Sequence, residues 1–274
     1  MTNQPAVIAE PDPSDFRRAE NLFRVVQIGL LLSLGWKYKF FWGSWVVLGA
    51  IRIDDPFFPT MLSSEAVGMG LFVATAVAIV ASICQPRGRV AIVSSLTTCV
   101  TTAALCVHQV AYNDATFTTM WWTSLWATWF ACAMRTIDGP SPWMFDRAAR
   151  LSRLIISMIM LGGAVGKWTA EYWDGSVLYD IYFVDRDFWV FNALRSQFGG
   201  DTLRSAATAY SRMVVVTETV VGLSLWAMPP RVAAVIAMLL LSSIAMFSNF
   251  LLFSVMACLI GLGSAGMFVR RSPG

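Results

Sequence analysis

The stretch AVGMGLFVATAVAIVASIC, Ala66–Cys84, runs for nineteen residues without a charge. A helix with one face in water repeats its apolar positions near every 3.6 residues, and a half-buried strand repeats them every 2. Ala66–Cys84 follows neither rhythm, and Val214–Met228 is nearly as continuous. A helix needs about 20 residues to cross the hydrocarbon of a bilayer. A barrel strand needs only about 10, alternating lipid-facing and lumen-facing positions. That dyad pattern is missing, so helices are the way across.

Composition agrees. The chain has 274 residues, 57% apolar and 14% charged, with a mean hydropathy of +0.61. Soluble domains carry about 25% charged residues, so this chain lacks the polar surface to face water all round. A net charge of +3 and the lack of any basic run of five or six residues exclude nucleic acid as a partner. The bilayer is the expected partner, with 12 Trp and 18 Phe to supply interfacial anchors. Cys84, Cys99, Cys106, Cys132 and Cys258 show no CxxC or paired spacing and read as small core residues. No metal site is expected, because a single His without a nearby carboxylate or Cys pair forms no ligand set.

Eight segments suit membrane helices: Leu22–Trp42, Ala66–Cys84, Val90–Val110, Thr118–Met134, Leu151–Trp168, Ala206–Met228, Arg231–Phe247 and Phe250–Val269. As one helix the last two would run about 57 Å, nearly twice the bilayer core, so Ser248–Asn249 is read as a turn. The short or marginal closing segments leave seven to nine spans open.

Charge orients the bundle. With the N-terminus inside, the inner segments hold Arg17, Arg18, Arg24, Arg87, Arg89, Arg135, Arg147, Arg150, Arg153, Arg231, Arg270 and Arg271. These are twelve of the twenty basic residues, against six acidic ones. Outside lie the other eight, with ten acidic residues. The positive-inside rule therefore puts both termini in the cytoplasm. The expected architecture is an all-α polytopic bundle in the inner membrane: residues 22–269 as one transmembrane domain, with short tails at 1–21 and 270–274. The first tail is polar, Pro-containing and acidic, the wrong order for a signal peptide, and is expected to be disordered.

Two outer segments are long. Gly43–Ser64 contains Asp54-Asp55-Pro56-Phe57-Phe58-Pro59, and Thr169–Ser205 contains Tyr172-Trp173-Asp174 and Asp185-Arg186-Asp187-Phe188-Trp189. Such mixtures suit amphipathic helices at the headgroup level. They read either as a structured lid or as a substrate platform, with Trp173 and Trp189 as substrate-binding candidates.

Ionisable groups inside the hydrocarbon cost about 2.5–3.5 kcal/mol on the insertion scale, so they face a bundle interior and find partners. Lys167 ends the fifth span after Gly162-Gly163-Ala164-Val165-Gly166. Glu218 sits mid-span in the sixth, Arg212 lies nearly two turns further out, and His108 ends the third. The threading puts all four in the outer half of the membrane. In the bland reading Lys167 snorkels to the outer headgroups, Arg212 or Thr217 satisfies Glu218, and His108 is interfacial. In the functional reading a desolvated Lys167 is a base and Glu218 orients or neutralises it, with Arg212 and His108 as substrate-binding candidates.

The run Gly162–Lys167 followed by Tyr172-Trp173-Asp174-Gly175 resembles the horizontally transferred transmembrane (HTTM) domain family, where a small-residue helix ends in a lysine and a Trp-x-x-Gly-like turn follows. Arg135-Thr136-Ile137-Asp138-Gly139 resembles that family's turn between spans, and Glu218 falls where it carries an acidic residue. The match in order and spacing covers roughly Tyr112–Gly266. The resemblance implies kinship with the membrane part of vitamin K-dependent γ-glutamyl carboxylases, with Lys167 as the candidate base and a quinone as the candidate cofactor. The carboxylases carry a histidine in the span matching Arg231–Phe247 and this sequence has none, so full carboxylase activity is not expected. Proteins of the sporulation-delaying-protein B type share the size range. They imply an alternative: a non-catalytic accessory in export, maturation or immunity that binds a secreted peptide.

Overall fold

The structure, a computed structural model, describes residues 13–50 (side chains of 48–50 excepted), 58–135, 139–184, 186–248, 250 and 252–270. Every regular element among them is helical. In chain order these are α1 (Pro13–Trp36), α2 (Tyr38–Ala50), α3 (Thr60–Ser63), α4 (Glu65–Cys84), α5 (Gly88–Val107), α6 (Ala115–Ala133), α7 (Pro142–Val165), α8 (Ala170–Trp173), α9 (Ser176–Leu178), α10 (Trp189–Gln197), α11 (Gly200–Ser224), α12 (Pro230–Phe247) and α13 (Phe253–Gly263). A π-helical turn, Tyr179–Val184, and 3₁₀ turns at Gln109–Ala111 and Ser264–Phe268 complete the set. Four helices, α4, α5, α7 and α12, are long and apolar enough to cross a membrane. Charges in α1 and α11, and Thr and Trp in α6, hold down the hydropathy of those three. The chain divides into two compact units, Met1–Ser152 with Pro230–Gly274, and Arg153–Pro229.

In the first unit, side chains at the helix ends record an up-and-down path. At one end Arg270 pairs with Asp15 at 2.8 Å, Arg87 pairs with Glu20, Arg24 donates to the Ile83 carbonyl at 3.3 Å, and Arg231 donates to the Val269 carbonyl at 2.8 Å. At the other end Lys37 pairs with Asp114 at 2.6 Å, and Trp36 packs on Phe253 with ring centres 4.6 Å apart. Thus α1 and α5 leave the arginine end, α4 and α6 return to it, and the α12–α13 hairpin leaves it and comes back.

The polarity of α4 and α5 is inverted relative to a water-facing pair. Val73, Val77, Val93, Leu96 and Val100 are exposed, while Thr75, Ser82, Ser94, Ser95, Thr98, Thr101 and Thr102 are buried. In water the apolar stripe would turn inward. In lipid nothing drives apolar side chains together, and small hydroxyl residues let helices approach and bond. Ser82 Oγ lies 2.6 Å from Ser94 Oγ, Thr75 Oγ1 2.7 Å from Thr101 Oγ1, and Gln27 Nε2 3.3 Å from Ser95 Oγ. Such bonds are each worth about 0.6 kcal/mol. Ser94→Ala should therefore lower stability in detergent by no more than about 1 kcal/mol, whereas Ser94→Leu, forced into a filled seam, should cost about 1–3 kcal/mol. Equal losses in thermal unfolding would contradict this packing. On the other flank α1 and α13 touch backbone to backbone: a Cβ on Gly29 would lie 2.8 Å from the Ala257 carbonyl oxygen.

The structure departs from the expected boundaries in places. Residues 13–21 are not a tail but the first turns of α1, because Pro13 suits a first helical turn and the buried stripe of Leu22, Phe23, Val26 and Leu30 continues back through Ala19 and Asp15. The expected span Leu22–Trp42 is interrupted at Lys37, whose ammonium is held by Asp114, so α2 begins as a separate helix. Residues 1–12, Asp54–Phe57, Thr136–Asp138, Asp185 and 271–274 lie outside the described residues. Asn249 does too, while the expected break beside it falls between α12 and α13.

Candidate functional site

The second unit is built on the antiparallel pairing of the end of α7 with α11. Along α11 the buried residues Leu203, Ala207, Ser211, Val215, Glu218 and Gly222 recur at three- and four-residue steps, which places them on one face. Gly222 admits Leu161, since a Cβ there would lie 2.9 Å from Leu161 Cδ2. Ser157 Oγ donates to the Gly222 carbonyl at 2.6 Å and accepts from Trp226 Nε1 at 2.9 Å. Arg153 Nη1 caps the C-terminal end of α11, donating to the carbonyls of Leu225 and Met228 at 3.2 and 2.9 Å.

One turn from Gly222, Lys167 Nζ reaches both oxygens of the Glu218 carboxylate, Oε1 at 2.7 Å and Oε2 at 2.5 Å. The Glu218 side chain is 8% exposed and that of Lys167 25% exposed, so the pair meets its surroundings through the lysine. Gly163 stands beside it. A Cβ there would lie 3.6 Å from Glu218 Oε2 and 3.7 Å from Lys167 Nζ, and a Cβ on Gly162 would meet nothing within 4 Å. The glycines thus leave the ion pair without a side-chain cover on that flank. Trp168 follows, its Nε1 3.4 Å from Thr219 Oγ1.

The segment after Lys167 is clamped to α11. Helix α8 is one turn long, so its last carbonyls have no partners within the helix. Ser211 Oγ donates to the Tyr172 carbonyl, Arg212 Nε to Trp173 at 3.0 Å, and Thr208 Oγ1 to Asp174 at 2.5 Å. The Arg212 guanidinium lies 5.6 Å over the Trp173 ring, which stacks on Trp168 with centres 5.0 Å apart. Gly175 turns the chain with φ of +86°, and the Ser176 backbone N–H donates to Asp174 Oδ1 at 2.8 Å. That N–H, with help from the Ser176 side chain, holds the Asp174 carboxyl below the usual range. Beyond it, Phe183, Phe191, Leu203 and Ala207 form a small core with Tyr182 and Tyr210 packed around it. Burial there pushes the Tyr182 phenol up. Arg195 closes the π-helical turn by donating to the carbonyls of Phe183, Val184 and Arg186 at 3.0, 3.1 and 2.8 Å.

Of the six residues singled out from the sequence, Lys167 and Glu218 bond each other. Arg212 and Trp173 contact each other, and Arg212 does not serve as the partner of Glu218. Trp189 is 73% exposed at the start of α10. His108 belongs to the first unit, is fully buried, and has both ring nitrogens engaged: Nδ1 accepts from Val110 N–H at 3.3 Å and Nε2 lies 3.0 Å from the Ser64 carbonyl. Val110 can only donate, so the ring proton sits on Nε2, facing Ser64. Sequence reasoning passed over Thr208 and Ser211. Their spacing from Arg212, on one helical face, was the available signal. Among the described residues no three His, Cys, Asp or Glu side chains gather as a metal site. Comparison with known proteins yielded no matching family model, no matching curated protein and no matching solved structure.

Proposed function

We propose that this chain is a multi-pass inner-membrane protein of the HTTM type, and that its Lys167–Glu218 pair is a proton-transfer site acting on a peptide, lipid or quinone. In this reading it crosses the bilayer about eight times with both termini in the cytoplasm and the pair in the outer half. Support comes from four helices of spanning length, the lipid-like polarity of α4 and α5, and the arginines gathered at one end of the first unit. The observation that carries the chemistry is the bidentate ion pair with an uncovered glycine flank.

The pair can move a proton in two steps. In this reading the proton of Lys167 passes to Glu218, which leaves a neutral amine beside a neutral acid. The amine then takes a proton from a substrate O–H, N–H or activated C–H, leaving Lys167 as ammonium next to the new substrate anion. Glu218 holds the displaced proton until the product leaves. Lys167 is the base and the ammonium that stabilises the anion, and Glu218 is its proton store.

The test is to purify the wild type, Lys167→Met and Lys167→Met/Glu218→Leu in mild detergent and identify co-purifying small molecules by mass spectrometry. A quinone or isoprenoid in the wild type, depleted in both variants, is the expected result. Ordinary phospholipid in all three would remove the support for chemistry at this site. A second reading, a non-catalytic accessory that binds a secreted peptide, is favoured by the exposed Trp173 and Trp189 of the outer segment. It requires that replacing Trp173 and Trp189 abolish cross-linking to the partner while Lys167→Met leaves it intact.

A further inference from the structure

Between α4 and α5, bordering their hydroxyl seam at Ser94, lies a groove of about 710 Å³. Its depth comes from Gly70, Ala74, Ala78 and Ala81, which recur at four- and three-residue steps along one face of α4. A Cβ on Gly70 would meet nothing within 4 Å. Ser94 and Thr97 border the groove, but their hydroxyls are spent on the carbonyls of Val90 and Val93 at 2.6 and 2.9 Å. Its length therefore offers packing and no hydrogen bonds. Polar recognition is confined to one end, where Arg89 stands on the first turn of α5. Arg89 is exposed and has no ion-pair partner among the described residues, whereas its neighbour Arg87 is paired with Glu20. The groove thus presents a long apolar wall ending in one uncompensated cation, at the same end as the Arg24, Arg231 and Arg270 contacts.

We propose that this groove is a binding site for an anionic phospholipid, with one acyl chain along the small-residue face of α4 and the headgroup phosphate on Arg89. Charge favours an anionic headgroup, since a basic residue at the headgroup level attracts anionic lipid, and on the proposed topology Arg89 faces the cytoplasmic leaflet. The site is independent of the Lys167–Glu218 chemistry.

The experiment is native mass spectrometry of the full chain taken from vesicles of equal phosphatidylglycerol and phosphatidylethanolamine. The wild type should retain phosphatidylglycerol preferentially, Arg89→Lys should keep that preference, and Arg89→Gln should weaken it about fivefold. Ala74→Phe, which fills the groove, should remove the bound lipid while leaving helicity and the melting transition intact. Retention of both lipids alike by the wild type would overturn the proposal, as would undiminished phosphatidylglycerol in Arg89→Gln. A dimer that Ala74→Phe splits without changing lipid retention would give the groove to a second copy instead. Arg89 is exposed, so the Arg89→Gln result stands even if Ala74→Phe fails to fold.

Discussion

Lys167→Met should destabilise the protein by about 3–5 kcal/mol, the cost of leaving one member of a buried ion pair without its partner. The two single variants should not be equal. Glu218 is the more enclosed member, with its side chain 8% exposed against 25% for Lys167. Removing the lysine strands a carboxylate that cannot reach a polar surface, whereas in Glu218→Gln the long lysine stem can carry its ammonium outward. Glu218→Gln should therefore cost less than Lys167→Met. The double variant Lys167→Met/Glu218→Leu should regain most of the loss, because two apolar side chains can replace a desolvated pair at little cost. Thermal or denaturant unfolding in detergent, run on the wild type, Lys167→Met, Glu218→Leu and Lys167→Met/Glu218→Leu as a double-mutant cycle with Glu218→Gln beside them, measures this. Additive single losses would mean that the two groups do not stabilise each other. The cycle also separates structure from chemistry: a double variant that recovers stability yet still lacks the bound small molecule assigns the pair a role beyond holding α7 to α11.

The second large effect is expected at Gly175. Its φ of +86° is left-handed, which costs a residue with a Cβ roughly 1–2 kcal/mol. A Cβ there would also lie 2.5 Å from Thr208 Cα and 2.6 Å from Thr208 N, backbone atoms of α11 that cannot yield without moving the helix. Gly175→Val must lift the turn away. With it go the bonds from Ser211, Arg212 and Thr208 to three successive carbonyls, each worth about 0.5–1.5 kcal/mol. The expected result is loss of hydrogen-exchange protection and faster proteolysis across residues 170–198, while the paired cores of α7 and α11 stay protected. Gly162→Ala is the control, since its Cβ meets nothing and an alanine suits a helix better than glycine. Wild-type protection in Gly175→Val would refute the clamp.

Several of these features were legible from residue order. Uninterrupted apolar runs such as Ala66–Cys84 reveal a helical membrane protein because the requirement is local: enough apolar residues in a row, with backbone groups satisfied within the same helix. The break between the last two helices followed from length alone. Lys167 and Glu218 stood out because a charge in an apolar run is costly wherever it ends up. Other features were not legible. The helical start of α1 was hidden by the charges of Arg17, Arg18 and Glu20, which mask the buried stripe through Ala19. Lys37 looked like part of a span until its partner, Asp114, appeared 77 positions away.

By itself, then, the sequence determined the helical class, the membrane as its solvent and the ionisable residues needing partners, since each depends on composition over one helix length. Only the tertiary structure decided which groups meet. It gave Glu218 to Lys167 and Arg212 to the Trp173 carbonyl, used both nitrogens of His108 within the first unit, and turned the hydroxyls of α4 and α5 toward each other. The physical reason is that a buried charge or hydroxyl must find a partner, but many residues of the right type lie within reach in the sequence. The choice among them is made by helix rotation and by where glycines let backbones come close.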